Sequence, residues 1–199
     1  MDLAFENASI SIVDNGKVVS ISFNEVLKYH AGNAWFGLSI AFRALELAEN
    51  TFKKADLIWN RDQLTTVSAH PGPGVKDAIE YITHCISNQK FSLTAECTDS
   101  NSCNSNMRFA WWVSNDTHTA FISLRQNFIP DLFNELLDRL GTTNEQGDDQ
   151  LDFSRLKQDL ANKILQQPLL DNFHCDLYHG AIKPEQIFTE NLNTCEKNI

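Results

Sequence analysis

Residues 9–22 read SISIVDNGKVVSIS, and this stretch decides the fold class. Apolar and polar side chains alternate on both sides of Asn15 and Gly16. Because an Asn-Gly pair readily adopts the positive φ angles of a type I′ turn, the stretch predicts an antiparallel hairpin. Residues 108–113 and 119–124 predict a second hairpin, joined by a short polar turn. The β part of the fold is therefore expected to contain antiparallel pairs.

The rest of the chain is expected to be mainly helical. Apolar residues recur at intervals of three and four over residues 37–50, which is the pattern of a helix buried on one side. Since hairpins and helices are mixed without regular β-α-β alternation, we predict an α+β fold: an antiparallel or mixed sheet packed against helices, with a C-terminal helical segment. Residues 1–140 are expected to form the α+β domain, and residues 141–199 a helical extension and tail of the same domain. Further helices are expected over 23–29, 75–86, 130–140 and 152–167, and strands over 64–68 and 91–97.

The charge balance narrows the class of partner. The 199 residues include 26 acidic and 16 basic side chains, giving a formal net charge of −10. This charge disfavours binding to nucleic acid or to an anionic lipid surface, because both need a clustered basic face. No apolar run is long enough for a membrane span, and the first residues lack the pattern of a signal peptide. We therefore expect a cytoplasmic protein that binds neither nucleic acid nor membrane.

The cysteines show none of the paired spacings of a zinc finger. Free thiols are the expected state in a cytoplasmic chain, although Cys97 and Cys103 flank a polar loop and would be able to pair if oxidised. Residues 173–179, FHCDLYH, contain a possible second cluster of His174, Cys175 and His179, for which a C-terminal strand is the favoured alternative. The five cysteines are Cys85, Cys97, Cys103, Cys175 and Cys195.

Two glycine-bearing segments carry the functional information. The first is HAGNAWFG at residues 30–37, and the second is HPGPG at residues 70–74. Each precedes a predicted helix, and the second of these helices ends near Cys85. Because such loops bring backbone amides to helix N-termini, a binding site for a small ligand, an anion or a metal is expected between the two segments.

The same segments resemble the formylmethanofuran dehydrogenase E-subunit (FmdE) family. FNEVLKYH at residues 23–30 and GLSIAFR at 37–43 resemble its motif F-H-G-H-x-C-P-G-L-A-L-G-Y-R. GVKDAIEYITHC at residues 74–85 resembles its segment C-G-V-D-A-I-Q-x-L-T-G-C-T. The second hairpin and the C-terminal helical segment are similar to later regions of the family, so the resemblance covers roughly residues 23–175. It implies a metal held by cysteine and histidine, and one-carbon or pterin-related chemistry.

The resemblance also suggests which residues form the site. His30 and Cys85 stand at family positions, and His70 is placed to replace a lost thiol, so these three residues are expected to converge on zinc or another divalent transition metal, with partial or absent occupancy. The family's cysteine and proline fall at Trp35 and Phe36. These aromatic residues are expected either to fill the space of a lost metal or to form an apolar wall for a planar ligand. The predicted ligand-binding set is Asn33, Trp35, Phe36, Gly72, Gly74 and Asp77.

Three functional hypotheses follow from these features. In the first, the chain is an FmdE-like protein that binds a small ligand or a metal. In the second, it is a metal-dependent enzyme, and in the third it is a structural or interaction protein whose site is filled by Trp35 and Phe36. His30 has a structural alternative as a capping or core residue, and Asp77 as a carboxylate that complements the helix dipole. His70 has one as a loop histidine bonded to backbone, and Cys85 as a buried inert thiol. A homodimer is expected, because hairpins leave open sheet edges and 13 phenylalanines and four tryptophans need cover.

Overall fold

A computed structural model describes residues 8–94 and 107–182 of the chain. These residues form an α+β fold with a five-stranded mixed sheet, a separate two-stranded hairpin and several helices. The predicted fold class is confirmed. Cys97, Cys103 and Cys195 lie outside the described residues.

The first hairpin forms where the sequence predicts it. Strand β1 is Ser9–Asp14 and strand β2 is Lys17–Ser22, and they pair antiparallel along their whole length. Asn15 and Gly16 have φ angles of 49° and 75°, as the type I′ turn requires. The isoleucines on one face of the hairpin are buried, which attaches it to the main core: Ile10, Ile12 and Ile21.

The larger sheet has the strand order β4-β3-β5-β6-β7. Strand β3 runs parallel to β4 and antiparallel to β5, and each remaining neighbouring pair is antiparallel. The C-terminal strand alternative for residues 173–179 is confirmed, because this segment pairs with the whole of β6. The strands are β3 Thr65–Ser68, β4 Phe91–Leu93, β5 Ala110–Ser114, β6 His118–Leu124 and β7 Phe173–His179.

Most helix bounds lie within a few residues of those expected. The helices are α1 Phe23–Tyr29, α2 Trp35–Lys54, α3 Pro73–Thr83, α4 Asp131–Arg139, α5 Asp149–Gln166 and the short α6 Leu169–Asn172. Helix α2 is longer at both ends than the predicted 37–50. It packs on strands β5, β6 and β7, and helices α3 and α5 flank it. No helix among residues 8–94 and 107–182 combines the length and apolarity needed to span a bilayer.

The two faces of the larger sheet carry different apolar clusters. Trp111 points toward the helices and belongs to the main core, whereas its neighbour Trp112 lies on the opposite face. Trp112 packs on Phe121 with 5.0 Å between ring centroids. Both tryptophans are buried, so neither forms an exposed binding surface.

A buried arginine connects the first hairpin to helix α3. Arg61 lies in a 3₁₀ turn, and its guanidinium forms an ion pair with Asp14 at the end of β1. It also donates hydrogen bonds to the backbone carbonyls of Tyr81 and Ile82. These carbonyls belong to the last turn of α3, where a helix lacks internal donors. One side chain therefore fixes three separate segments relative to one another.

Candidate functional site

The two glycine-bearing segments meet at the N-termini of α2 and α3. Gly74 lies so close to α2 that a Cβ atom on it would be 2.3 Å from the carbonyl oxygen of Ala34 and 2.8 Å from the amide nitrogen of Leu38. Gly37 faces Val75 across the same contact. The glycines therefore allow two helix backbones to approach each other, which gives Gly74 a packing role.

His30 is buried in the loop that leads into α2. Its Nδ1 lies 2.6 Å from the Oδ2 atom of Asp77, and its Nε2 accepts a hydrogen bond of 3.0 Å from the backbone N–H of Ala34. Because Nε2 accepts, the proton is on Nδ1 and is donated to the carboxylate. The structure thus brings together two residues of the predicted site, and both ring nitrogens of His30 are engaged within the chain.

His70 is buried on the sheet side of the same region. Its Nδ1 accepts a hydrogen bond of 3.0 Å from the backbone N–H of Gly72, and its ring packs on Phe109 with 4.8 Å between centroids. Burial disfavours the imidazolium form and lowers the pKa of His70 to about 4. His70 is therefore neutral near pH 7.

Cys85 is fully buried beyond the end of α3. Its thiol donates to the carbonyl oxygen of Leu64 and accepts from the hydroxyl of Thr66, both at 3.4 Å. Burial raises the pKa of the Cys85 thiol, so the uncharged form is favoured. This is the environment of an inert core thiol.

His30, His70 and Cys85 thus have separate sets of hydrogen-bond partners. Among residues 8–94 and 107–182, no three His, Cys, Asp or Glu side chains form a group able to hold a metal ion. The possible second cluster lies on β7, where its three residues have separate partners as well. His174 contacts Arg125, Cys175 accepts a hydrogen bond from the hydroxyl of Thr51, and His179 packs on His118. The metal site predicted from the sequence stays a prediction.

A cavity of about 360 Å³ opens beside the N-terminus of α2. Its walls come from α1, from the first turns of α2 and from one face of α5. Asn33, Trp35 and Phe36 of the predicted ligand-binding set line it, whereas Gly72, Gly74 and Asp77 do not. The lining residues are Phe23, Leu27, Asn33, Trp35, Phe36, Ser39, Ser154, Lys157, Gln158, Ala161, Asn162 and Leu165.

Trp35 and Phe36 have different environments. Phe36 is buried and packs on Phe109 and Phe133, with 5.9 Å between ring centroids in each pair. The side chain of Phe36 therefore fills space in the core. Trp35 is 43% exposed and stands at the edge of the cavity. Phe36 is thus part of the core, whereas Trp35 is partly exposed beside the cavity, and the two alternatives raised by the sequence stay predictions.

Polar groups in the cavity are available to a ligand. Ser39 is only 2% exposed, and its hydroxyl has no hydrogen-bond partner among the described residues. Because this hydroxyl borders the cavity, a ligand is able to supply the hydrogen-bond partner that the described residues do not. The half-buried Lys157 has its Nζ 4.6 Å from the ring centroid of Phe153. Sequence reasoning missed the residues of α5, because no local motif marks a contact between helices so far apart in the chain.

The chain matches no protein-family model and no curated protein sequence. The resemblance to the FmdE family therefore stays a prediction. The function of the chain is inferred instead from the cavity and its side chains.

Proposed function

We propose that this protein binds a small organic molecule in the cavity between α1, α2 and α5. The single observation that carries the proposal is the cavity itself, whose volume of about 360 Å³ falls in the range of small-molecule sites. Apolar side chains form most of one wall and polar side chains another. Such a lining suits a ligand with an apolar body and a few polar atoms.

The partnerless hydroxyl of Ser39 supports the proposal. A polar atom of a ligand in the cavity is able to bond to it, because a hydroxyl both donates and accepts hydrogen bonds. The position of Trp35 supports the proposal as well, since its partly exposed indole lines the cavity.

Titration with the neutral dye N-phenyl-1-naphthylamine tests this proposal. Its fluorescence rises in an apolar environment, so we expect a saturable signal from one site per chain. The variants Asn162→Trp and Ser39→Leu place bulk in the cavity from α5 and from α2, and both should weaken binding about tenfold or more. Gln166→Trp, one turn further along α5 and outside the cavity, is the matched control and should bind like the parent.

Circular dichroism and the unfolding midpoint verify that each variant is folded. Absence of saturable binding to the parent protein would overturn the proposal. So would equal binding by the parent and by both folded cavity variants. Two cavity variants are used so that failure of one to fold leaves the other as a test.

A metal-dependent enzyme acting on a one-carbon or pterin-related substrate is the alternative function. The His30–Asp77 contact favours it, because metal-bound histidines commonly donate their second N–H to a carboxylate. A metal at Nε2 would have to displace the Ala34 N–H. Elemental analysis of protein purified without added zinc should give less than one metal per chain. A stoichiometric metal that is lost in His30→Ala would favour the enzyme instead.

The proposal includes a homodimer in the cytoplasm. Strand β2 pairs only with β1 among the described residues, and Val18 on it is 76% exposed. An apolar open strand of this kind is a surface for pairing with a second copy. The free thiols of Cys85 and Cys175 are consistent with a reducing compartment.

A further inference from the structure

We infer that the ligand of this cavity is a planar anion, held with its negative group at Lys157 and its ring system against Trp35. The inference rests on the proposed function and adds the chemical class of the ligand to it. It is carried by the distribution of charge in the lining, by the position of α2 and by the hydroxyl of Ser39.

Lys157 is the only charged residue among the described residues that line the cavity. No carboxylate of the described part of the chain lines it, although the sequence carries 26 acidic residues against 16 basic ones. Lys157 forms no ion pair with any described residue, and its ammonium lies over the ring of Phe153. A half-buried ammonium without a carboxylate partner attracts an anion more strongly than a solvated one, because the surrounding dielectric constant is lower.

The N-terminus of α2 adds positive potential at the same place. Trp35 and Phe36 are the first residues of this 20-residue helix, and both line the cavity. The first turn contains no acidic residue, and Ala34 provides no side-chain cap. The partial positive charge of the helix end is therefore not neutralised by side chains of its own first turn. Lys157 and the helix end together favour a negative group at the mouth of the cavity.

The apolar part of the lining sets the shape of the ligand body. The indole of Trp35 is partly exposed, and Phe23, Leu27 and Leu165 continue the apolar wall. A flat conjugated ring system covers an exposed indole more completely than a branched aliphatic group, with additional stacking energy. Ser39 then supplies one hydrogen bond to a polar atom on that ring system.

Two dyes with the same ring skeleton distinguish the contribution of a negative group to affinity from that of the apolar ring system. 8-Anilino-1-naphthalenesulfonate is N-phenyl-1-naphthylamine with a sulfonate added. We expect the sulfonate dye to bind the parent protein about tenfold or more tightly than the neutral dye, because it gains a charge-assisted contact. This advantage should fall as salt is raised, since the mouth of the cavity is open to solvent.

Variants of two lysines on α5 provide the specific test. Lys157→Met should remove the tighter binding of the sulfonate dye and leave the affinity for the neutral dye within about twofold of the parent value. Lys157→Arg should keep most of the difference in affinity between the two dyes. Lys163→Met is the matched control, because Lys163 also lies over a phenylalanine ring, that of Phe128, at 4.4 Å but lines no part of the cavity. It should leave both affinities unchanged.

The outcomes distinguish this inference from the function on which it rests. Equal affinity for the two dyes would contradict the inference that the ligand is an anion, and so would tighter binding of the sulfonate dye that persists in Lys157→Met. Either result would leave the proposed binding site itself in place. Failure of both dyes to bind would overturn the binding site itself. A sulfonate dye that binds at several sites, all insensitive to Lys157→Met, would also count against the inference.

Discussion

Single residues at the contact of α2 and α3 show how sequence features that resemble a binding site can have a packing role. Gly74 belongs to a Pro-Gly-Pro-Gly segment and lies in the first turn of α3, where helix backbone amides in other settings face an anion. In this structure it faces the backbone of Ala34 and Leu38 at distances that leave no space for a side chain. His30 likewise uses both ring nitrogens to connect this contact to Asp77 and Ala34.

Gly74→Ala should lower the free energy of unfolding by about 1–3 kcal/mol, because the added methyl group collides with backbone atoms that cannot move independently. Urea denaturation measures the change. Gly147→Ala is the control: no described atom lies within 4 Å of the place its Cβ would occupy, and its free energy of unfolding should change by less than about 0.5 kcal/mol. Equal stability of the parent and Gly74→Ala would contradict the close helix contact.

The buried imidazole of His70 should make stability depend on pH. Its pKa is about 4 in the folded chain, below the ordinary value of 6.5, so the unfolded chain binds the proton first as the pH falls. The stabilisation is complete above pH 6.5 and is lost between pH 6.5 and 4, by about 3 kcal/mol in total.

His70→Asn keeps an acceptor for the Gly72 N–H and removes the titration, so its free energy of unfolding should vary less over this pH range. Urea unfolding at a series of pH values provides the measurement. His174→Asn, at an exposed position on β7, serves as the control and should retain the pH dependence of the parent. A parent protein whose stability is flat between pH 6.5 and 4 would contradict the buried neutral state of His70.

At the scale of elements, local patterns predict most of the helices and strands. Asn15 and Gly16 specify the first turn by their backbone preference alone, and the intervals of apolar residues locate α2. The parallel pairing of β3 with β4 and the approach of α5 to α2 depend on contacts between distant residues, which no local pattern encodes. For the same reason the sequence predicts the Asn33, Trp35 and Phe36 side of the cavity and not the α5 side.

The 3₁₀ turn at Arg61 connects elements that the sequence does not show to be neighbours. Arg61→Met should lower the free energy of unfolding by about 2 kcal/mol or more, because it leaves Asp14 and two helix-end carbonyls without their donor. Arg155→Met removes an exposed ion pair of 3.7 Å with Asp152 and should cost less than about 1 kcal/mol. Thermal or urea unfolding of the two variants side by side tests the difference, and similar losses would contradict the connecting role of Arg61.

At the scale of the whole molecule, the first hairpin has an edge, strand β2, that pairs with no second strand of residues 8–94 and 107–182 besides β1. Val18 and Val19 on β2 are exposed, and Ile58 is 69% exposed. Each sheet edge among the described residues offers a place for a second chain. The β2 edge differs because it carries Val18, the most exposed of the large apolar side chains in the described part of the chain.

Light scattering at micromolar concentration should therefore give the mass of a dimer. Val18→Lys should lower the measured mass to that of a monomer without loss of helical content, because a charge on an edge strand opposes pairing with a second strand. Leu170→Lys, which removes another exposed apolar side chain away from β2, should leave the mass unchanged. A monomeric parent would contradict the dimer, and a dimer that persists in Val18→Lys would place its interface elsewhere.

The position of β7 in the sheet has a consequence for synthesis of the chain. This strand is the last one along the described residues, yet it pairs with the full length of β6. It also packs on α2, the helix that contacts strands β5 and β6 of the same sheet. During translation the N-terminal half emerges first and cannot complete its sheet until residue 179 has left the ribosome. Until then β6 lacks the strand that covers its edge, and this edge is a surface on which another chain can pair.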